Sequence, residues 1–442
     1  MSPPLSRITS DERLPAQVDA VVIGGGVIGV SAAYHLAKKG HSVALIEKGH
    51  VGAEQSSRNW GWCRQQGRAR PEIPLAREAL RLWEDMQNDA GVDAGFRRTG
   101  VLFLTKNPEE LAAWERWAGI ARELQVHSTV LSPAEVAERM PGNADTWVGG
   151  LHTPSDGRAE PSMAVPALAT AARKHGVTIH QDCAARGLET QGGRVSAVVT
   201  ERGTIRTPSV LLAGGAWSSL FCRRHGIELP IGLVNATACR TTPAPEITTG
   251  ALGTDFYCIR RRLDGGFTLA LRNRGTVELS PDLFRYARTF WPTYKHRRKG
   301  LKLSLGKSFF DQIIRGTNWN LDQPSPFETE RVRDPAPDMS LVNSALAALI
   351  KSNPELKGIE VAEAWGGTID STPDTIPVIS SVGALPGFFL ATGFSGHGFG
   401  IGPAAGKLAA DIVTGDTPLV DPAAYSHERL IDGRPLAPVS PF

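Results

Sequence analysis

The feature that most constrains this chain is the stretch DAVVIGGGVIGVSAAYHLAKKGHSVALIE at residues 19–47. Ala20–Ile23 is a short apolar run of the kind that forms a buried parallel strand. Gly24-x-Gly26-x-x-Gly29 follows at once and opens a helical pattern in which Ala33 and Leu36 face inward, with Gly40 closing it. Val43–Ile46 then reads as a second strand, ended by Glu47. Each residue type has a physical task. Gly24 permits a tight turn, Gly26 lets the backbone approach a pyrophosphate, and Gly29 lets helix and sheet pack closely. The first turn of the helix, Val27 and Ile28 included, points its partial positive charge at the phosphates. Glu47, 23 positions after Gly24, suits the two ribose hydroxyls. A lone glycine pattern is weak evidence. Strand, glycines, helix, strand and terminal acid in this order predict a dinucleotide site.

Three further segments say which dinucleotide. The loop GAEQSSRNWGWCRQQGR (52–68) comes soon after Glu47 and Lys48, and it offers Gln55, Ser56, Ser57, Arg58 and Gly61 to a pyrophosphate and one edge of a flat ring. VLLAGGAW (210–217) is an apolar strand running into Ala213, Gly214, Gly215 and Trp217, small enough in part for close backbone approach. FFLATGFSGHGFGIGPAAGKLAADIV (388–413) is a strand, then a loop of Gly393, Phe394, Ser395, Gly396, His397 and Gly398, then a helix whose start offers a second place for an anion. Several separated sites on one chain fit an extended ligand such as FAD better than a mobile nicotinamide.

Composition excludes other classes. The 442 residues are 41% apolar and 21% charged, with a net charge of +3, which suits a globular chain of two or three domains and gives no overall field for nucleic acid. The five cysteines show no metal-ligand spacing, so no metal site is expected, and they read as buried thiols of a reducing compartment. No run of about 18 uncharged apolar residues occurs, so no transmembrane helix is expected, nor does the polar start read as a signal peptide.

Taken together, the 19–47 unit, GAEQSSR (52–58), CAARGLET (183–190), AGGAWS (213–218), AWGGTIDSTPDTIPVI (364–379) and ATGFSGHGFG (391–400) resemble the D-amino acid oxidase superfamily of flavoenzymes over nearly the whole chain. Residues 181–221 and NWNLDQPSPFE (318–328) are most similar to the bacterial L-amino acid deaminases, whereas GFSGHGFG is nearer the sarcosine and glycine oxidases. Those deaminases usually carry an N-terminal membrane helix, which this sequence does not show. The resemblance implies an α/β (α+β) fold: a Rossmann-like FAD domain (1–95, 151–225, 360–442) interleaved with an antiparallel-sheet substrate domain (96–150, 226–280), plus a helical insertion (281–345). It adds Ala184 and Gly367 to the cofactor contacts. Covalent flavin in this superfamily hangs on Cys or His; with no cysteine after Cys258 and no histidine between His50 and His127, non-covalent FAD is expected.

The implied activity is oxidative deamination of an L-α-amino acid to the 2-oxo acid and ammonia by hydride transfer to flavin N5. A secondary-amine oxidase of sarcosine, D-proline or opine type is the alternative, and a flavin subunit of an electron-transfer complex is a third reading. Such chemistry needs a cation for the substrate carboxylate more than it needs an acid/base pair. Arg272, at the end of GGFTLALR, matches the position where the deaminases place that arginine, with Arg64 the second candidate. Trp62 and Phe394 match positions lining the substrate side of the flavin, and His397 is expected beside the ring's pyrimidine edge.

Residues 284–310, FRYARTFWPTYKHRRKGLKLSLGKSFF, carry eight Lys/Arg and seven aromatics with no acid. Taking that +8 from the chain's +3 leaves −5 for the rest. Such a run suits the surface of an anionic membrane, through cations such as Arg297, Arg298 and Lys299, or is simply a solvated helical face; nothing else favours nucleic acid. The expected location is the cytoplasm, with peripheral contact at the inner membrane face. The membrane case favours a quinone or respiratory-chain acceptor, the solvated case oxygen.

Overall fold

The computed structural model describes residues 3–305, 309 and 318–436. The apolar runs of the sequence pair into a six-stranded sheet in the order Val378–Ser381, Phe388–Thr392, Ser209–Leu212, Ala20–Ile23, Val43–Ile46, Thr178–His180. Every neighbouring pair is parallel except the edge formed by Val378–Ser381. These strands are buried nearly throughout, which explains why they read as continuous rather than alternating apolar runs.

Helices Val27–Lys38, Ile73–Ala90, Pro161–Lys174 and Gly398–Thr414 cover one face and share its largest apolar core. Two of them meet backbone to backbone: a Cβ on Gly406 would lie 2.5 Å from Ser31 Cβ. Trp83, fully buried, donates its Nε1–H to Gly400 O at 3.0 Å and so ties a helix to the start of the C-terminal one. A three-stranded antiparallel sheet, Ala185–Gln191, Arg194–Thr200 and Gly203–Arg206, packs into the second core on the opposite face.

A larger mixed sheet forms the other half. Its order is Leu301–Ser304, Gly275–Glu278, Gly232–Thr241, Phe267–Ala270, Cys258–Arg261, Ala251–Gly253, Val101–Thr105, Gly149–Thr153, Thr129–Leu131. Val361–Ser371 pairs antiparallel with Gly232–Thr241 along nearly its whole length, from Ser371 opposite Gly232 to Val361 opposite Thr241. That strand therefore belongs to the second sheet, although it falls within the 360–442 stretch expected to lie with the FAD segments. Its own motif, AWGGTIDS, crosses from one half to the other, because Ser371 also bridges Phe394. The 281–345 insertion is not wholly helical: after Pro281–Arg285 and Ala287–Arg297 comes the strand Leu301–Ser304, parallel to Gly275–Glu278. Residues 306–308 and 310 of the basic run lie outside the described residues. Among the described residues no helix is long and apolar enough to cross a membrane, and no cluster of His, Cys, Asp and Glu could hold a metal.

Candidate active site

A groove opens at the C-terminal ends of the parallel strands, where open α/β sheets bind their ligands. Gly24 and Gly29 are consumed by packing. A Cβ on Gly24 would meet Ala213 O at 2.3 Å, and one on Gly29 would meet Gly24 O at 2.0 Å. Gly26 differs: only Ser56 Oγ lies within reach of its missing Cβ, at 3.1 Å, and that hydroxyl accepts the Val27 N–H at 3.0 Å. The remaining side of Gly26 faces open groove. Glu47 holds the next turn, accepting Gly25 N–H at 2.7 Å and Gly49 N–H at 2.8 Å, while burial pushes its carboxyl up despite Lys48 and those bonds.

Of the residues expected at the cofactor, Gly24, Gly26, Val27, Ile28, Glu47, Lys48, Gln55, Ser56, Ala213, Gly214, Gly215, Trp217, Phe394, Gly396 and Gly398 line this groove. Others stand behind it. Ser57 donates to Glu54 O at 3.2 Å, Ala184 gives its N–H to Glu201, and Gly393 gives its N–H to Asp370 at 2.6 Å. A Cβ on Gly61 would meet Ala159 O at 2.4 Å, and one on Gly367 would meet Gln55 Oε1 at the same distance. Arg58, buried, binds Asp334 at 2.6 Å and Gly366 O at 2.9 Å, so it braces the loop. It lines the neighbouring chamber instead, as do Ser395 and His397.

Two groove residues carry no fingerprint and were not anticipated. Glu54 accepts from Lys48 at 2.9 Å and from Trp217 Nε1 at 3.0 Å; burial pushes its carboxyl up, but Lys48 and these bonds hold it below its ordinary value. Asp370 accepts Gly393 N–H and the Thr392 hydroxyl, and burial pushes its carboxyl up. The residues present fit a flavin dinucleotide: an uncrowded Gly26, a helix start behind it, and the buried Gln55 Oε1, which has no hydrogen-bond partner and lines the groove.

The groove meets a second cavity of about 710 Å³ at Gln55, Asn59, Gly396 and Phe399. Trp62 forms part of its wall, edge-on to Trp60 at 5.6 Å, with its own Nε1 unpartnered. Arg64 and Arg272 both lie against the Phe103 ring, 5.5 and 5.8 Å from its centroid. Their electrostatics differ. Arg272 Nη2 is 2.7 Å from Glu110 and 3.0 Å from Asp255, and burial pushes the Glu110 carboxyl up against the pull of Arg272. Arg64 has no carboxylate at ion-pair distance among the described residues; burial, with Arg68 alongside, pushes its guanidinium down to about 9. Arg68, which sequence reasoning missed, is 3% exposed, and its Nη1 has no partner.

His397 Nδ1 lies 3.2 Å from Glu72 Oε1, and burial pushes the imidazole down to about 4. It is therefore neutral at pH 7, with the Nδ1 proton donated to the carboxylate. Glu72, also missed, is 1% exposed, and its Oε2 has no partner. Its only sequence signal is an acid inside the otherwise apolar start of a helix, which reads as an ordinary first-turn acid. The chamber thus joins cations without a carboxylate at ion-pair distance, among the described residues, to a wall of aromatic rings beside the groove.

Comparison with known proteins gives the family. Residues 19–412 match the DAO model, described as FAD dependent oxidoreductase. The structure of L-amino acid deaminase from Proteus myxofaciens in complex with anthranilate superposes with a TM-score of 0.93 at 31% identity, over 97% of both chains. Mitochondrial sarcosine dehydrogenase of Mus musculus is 26% identical over 94% of this chain, which spans only 42% of that protein's length. Glycine oxidase of Pseudomonas putida is 27% identical, over 92% of this chain and 98% of its own. The fingerprint, the groove and the family match lead to one conclusion: this chain belongs to the FAD-dependent oxidoreductases of the DAO family.

Proposed function

We propose that the enzyme oxidises the Cα–N bond of an L-α-amino acid held in the 710 Å³ chamber, with Arg64 and Arg68 as the carboxylate clamp. The observation that carries this reading is that the half-buried Arg64 and the buried Arg68 face the chamber with no carboxylate at ion-pair distance among the described residues. Resemblance to the deaminases favours Arg272 for that role. However, its Nη2 already faces Glu110 and Asp255, so a further carboxylate there competes with two carboxyl groups for one guanidinium. Glu72 and Asp156 act on Arg64 and Arg68 as well, but neither carboxylate comes within ion-pair distance of them among the described residues. A guanidinium that two parallel hydrogen bonds can reach fixes orientation as well as charge.

When bound, FAD supplies the two-electron acceptor, taken non-covalently. The protein's part is orientation and field. Trp62 and Phe103 wall the substrate, and no carboxylate of the chamber wall competes for its ammonium group among the described residues. Surrounding cations disfavour the ammonium form, so the substrate loses its proton to solvent and presents a neutral amine. His397, neutral and tied to Glu72, donates no charge and is placed for hydrogen bonding rather than for proton transfer.

The likeness to sarcosine dehydrogenase supports a second reading, an N-methyl amino acid as substrate. One experiment separates them: anaerobic titration of the yellow holoenzyme with L-, D- and N-methyl amino acids, following loss of the flavin band. Reduction by L-α-amino acids supports the first reading. Reduction by N-methyl compounds alone supports the second, and reduction by neither overturns both.

Peripheral contact with an anionic membrane is supported by one further observation. The basic segment exposes Phe284 (59%), Trp291 (61%) and Leu305 (58%), large apolar side chains beside cations. Arg297 and Lys299 line the chamber, so neutralising them would disturb the substrate site as well. Phe284 and Trp291 line it too, so the sharper variant is Lys295→Gln with Arg298→Gln and Leu305→Ser, three exposed positions off the chamber wall. It should lose flotation with anionic vesicles that the parent chain shows at low salt; a parent chain that never floats rejects membrane contact and leaves oxygen the better acceptor.

A further inference from the structure

The chamber wall carries Arg58, Arg64, Arg68, Arg272, Arg274, Arg297 and Lys299, and not one Asp or Glu among the described residues. Two of these cations are neutralised from behind the wall: Arg58 by Asp334, and Arg272 by Glu110 and Asp255. Five have no carboxylate at ion-pair distance among the described residues. They fall into two groups. Arg64 and Arg68 sit at the flavin end, where both act on the charge of His397. Arg274, Arg297 and Lys299 sit on two turns packed together: Arg274 Nη1 donates to Lys299 O at 3.0 Å, and a Cβ on Gly300 would strike Asn273 O. These turns, within residues 273–300, bring the second group to the chamber on a different part of the chain from the loop that carries Arg64 and Arg68.

Cations gathered on one cavity wall raise its potential and favour an anionic ligand there. The carboxylate of an ordinary zwitterionic amino acid satisfies one end only. We infer that the substrate carries a second anionic group, carboxylate, phosphonate or sulfonate, at the far end of its side chain, and that Arg274, Arg297 and Lys299 receive it. The inference rests on the amino acid reading above and names the substrate class within it. Aromatic rings of the same wall, Phe290 and Tyr294 among them, offer apolar surface to the intervening methylenes.

The test compares matched pairs on the holoenzyme under anaerobic conditions: L-glutamate with L-glutamine, L-2-aminoadipate with L-norleucine, and L-2-amino-4-phosphonobutyrate with L-methionine, phenylalanine serving as a bulky neutral. The expected result is a preference of tenfold or more in kcat/KM for the anionic member of at least one pair, falling toward one in Arg297→Met combined with Lys299→Gln. FAD content and melting temperature show that this variant is folded, and a single Arg274→Gln provides an independent check. Neutral members used as well as anionic ones, or a preference that survives the double substitution, would overturn the inference while leaving amino acid oxidation in place. Reduction by no amino acid at all would overturn both. Which anion is received, carboxylate or phosphonate, is read from which pair shows the preference.

Discussion

The groove and the chamber lie side by side but obey different rules. In the groove, ligand space is made by absent atoms and backbone groups: Gly26 is open, Ser56 caps the helix, Lys48 is paired with Glu54, and Glu47 and Asp370 accept backbone N–H groups. In the chamber, space is walled by large side chains, and several charges are left uncompensated. A groove of the first kind accepts one cofactor and keeps it. A chamber of the second kind stays poised for a ligand that comes and goes, because the missing counter-charge arrives with it. The difference separates affinity built into the fold from affinity that is supplied by the substrate.

Substitutions can break that contrast in graded ways. Gly29→Val should have the largest effect. A Cβ only 2.0 Å from Gly24 O cannot be relieved without moving the strand end, and a loss exceeding about 4 kcal/mol, seen as insoluble or unfolded chain by circular dichroism, is expected. Gly26→Val should behave otherwise, because its missing Cβ meets only a hydroxyl. Folded but colourless protein is expected, measured as FAD released per chain, and full flavin content would remove Gly26 from the pyrophosphate site.

On the chamber side, Arg64→Met should raise KM for the amino acid by roughly 30-fold or more, the equivalent of about 2–5 kcal/mol for losing a charged partner in a buried site. Because burial disfavours the Arg64 cation and no ion pair among the described residues is lost with it, melting temperature should be unchanged or higher, the opposite of the effect on catalysis. Glu72→Gln should act more gently. It removes the charge beside His397, and because the imidazole's lowered pKa then loses an opposing carboxylate, any acid limb it causes in kcat should move further down in pH.

The smallest effect concerns stability. Burial pushes His35 down to about 3, below its unfolded value near 6.5. A group with a depressed folded pKa leaves the unfolded chain holding more protons as pH falls, so stability is lost below about pH 6.5, by up to 1.4 kcal/mol per unit for each such group, roughly. Replacing His35 with Gln should flatten the fall of melting temperature between pH 6.5 and 4.5; an unchanged slope would assign the acid sensitivity to other groups.

Legibility in the sequence follows the same division. The groove was readable because its parts are contiguous: strand, glycines, helix and acid occur within 29 residues, and the chain's local order is the site's geometry. Even there, Glu54 was hidden, since its role comes from meeting Trp217 and Arg333, far along the chain. The strand Val361–Ser371 was grouped with its neighbours in sequence, yet ten residues of register tie it to Gly232–Thr241. The chamber was legible only in its individual candidates. Trp62, Arg64, Arg272 and His397 do all line it, but nothing in sequence reveals that Glu110 and Asp255 reach Arg272, or that Arg68 is left without them. Pairing of charges is a tertiary property, and it decides which arginine is available.

The most direct test of that claim is the binding of benzoate, a carboxylate that cannot be oxidised, followed by its perturbation of the flavin spectrum in the parent chain and in Arg64→Met, Arg68→Met and Arg272→Met. The account predicts that Kd rises at least tenfold in the first two variants and changes about threefold or less in the third, with FAD content equal in all. A Kd that rises in Arg272→Met while Arg64→Met and Arg68→Met bind like the parent would contradict it, and would return the carboxylate to the arginine that already faces Glu110 and Asp255.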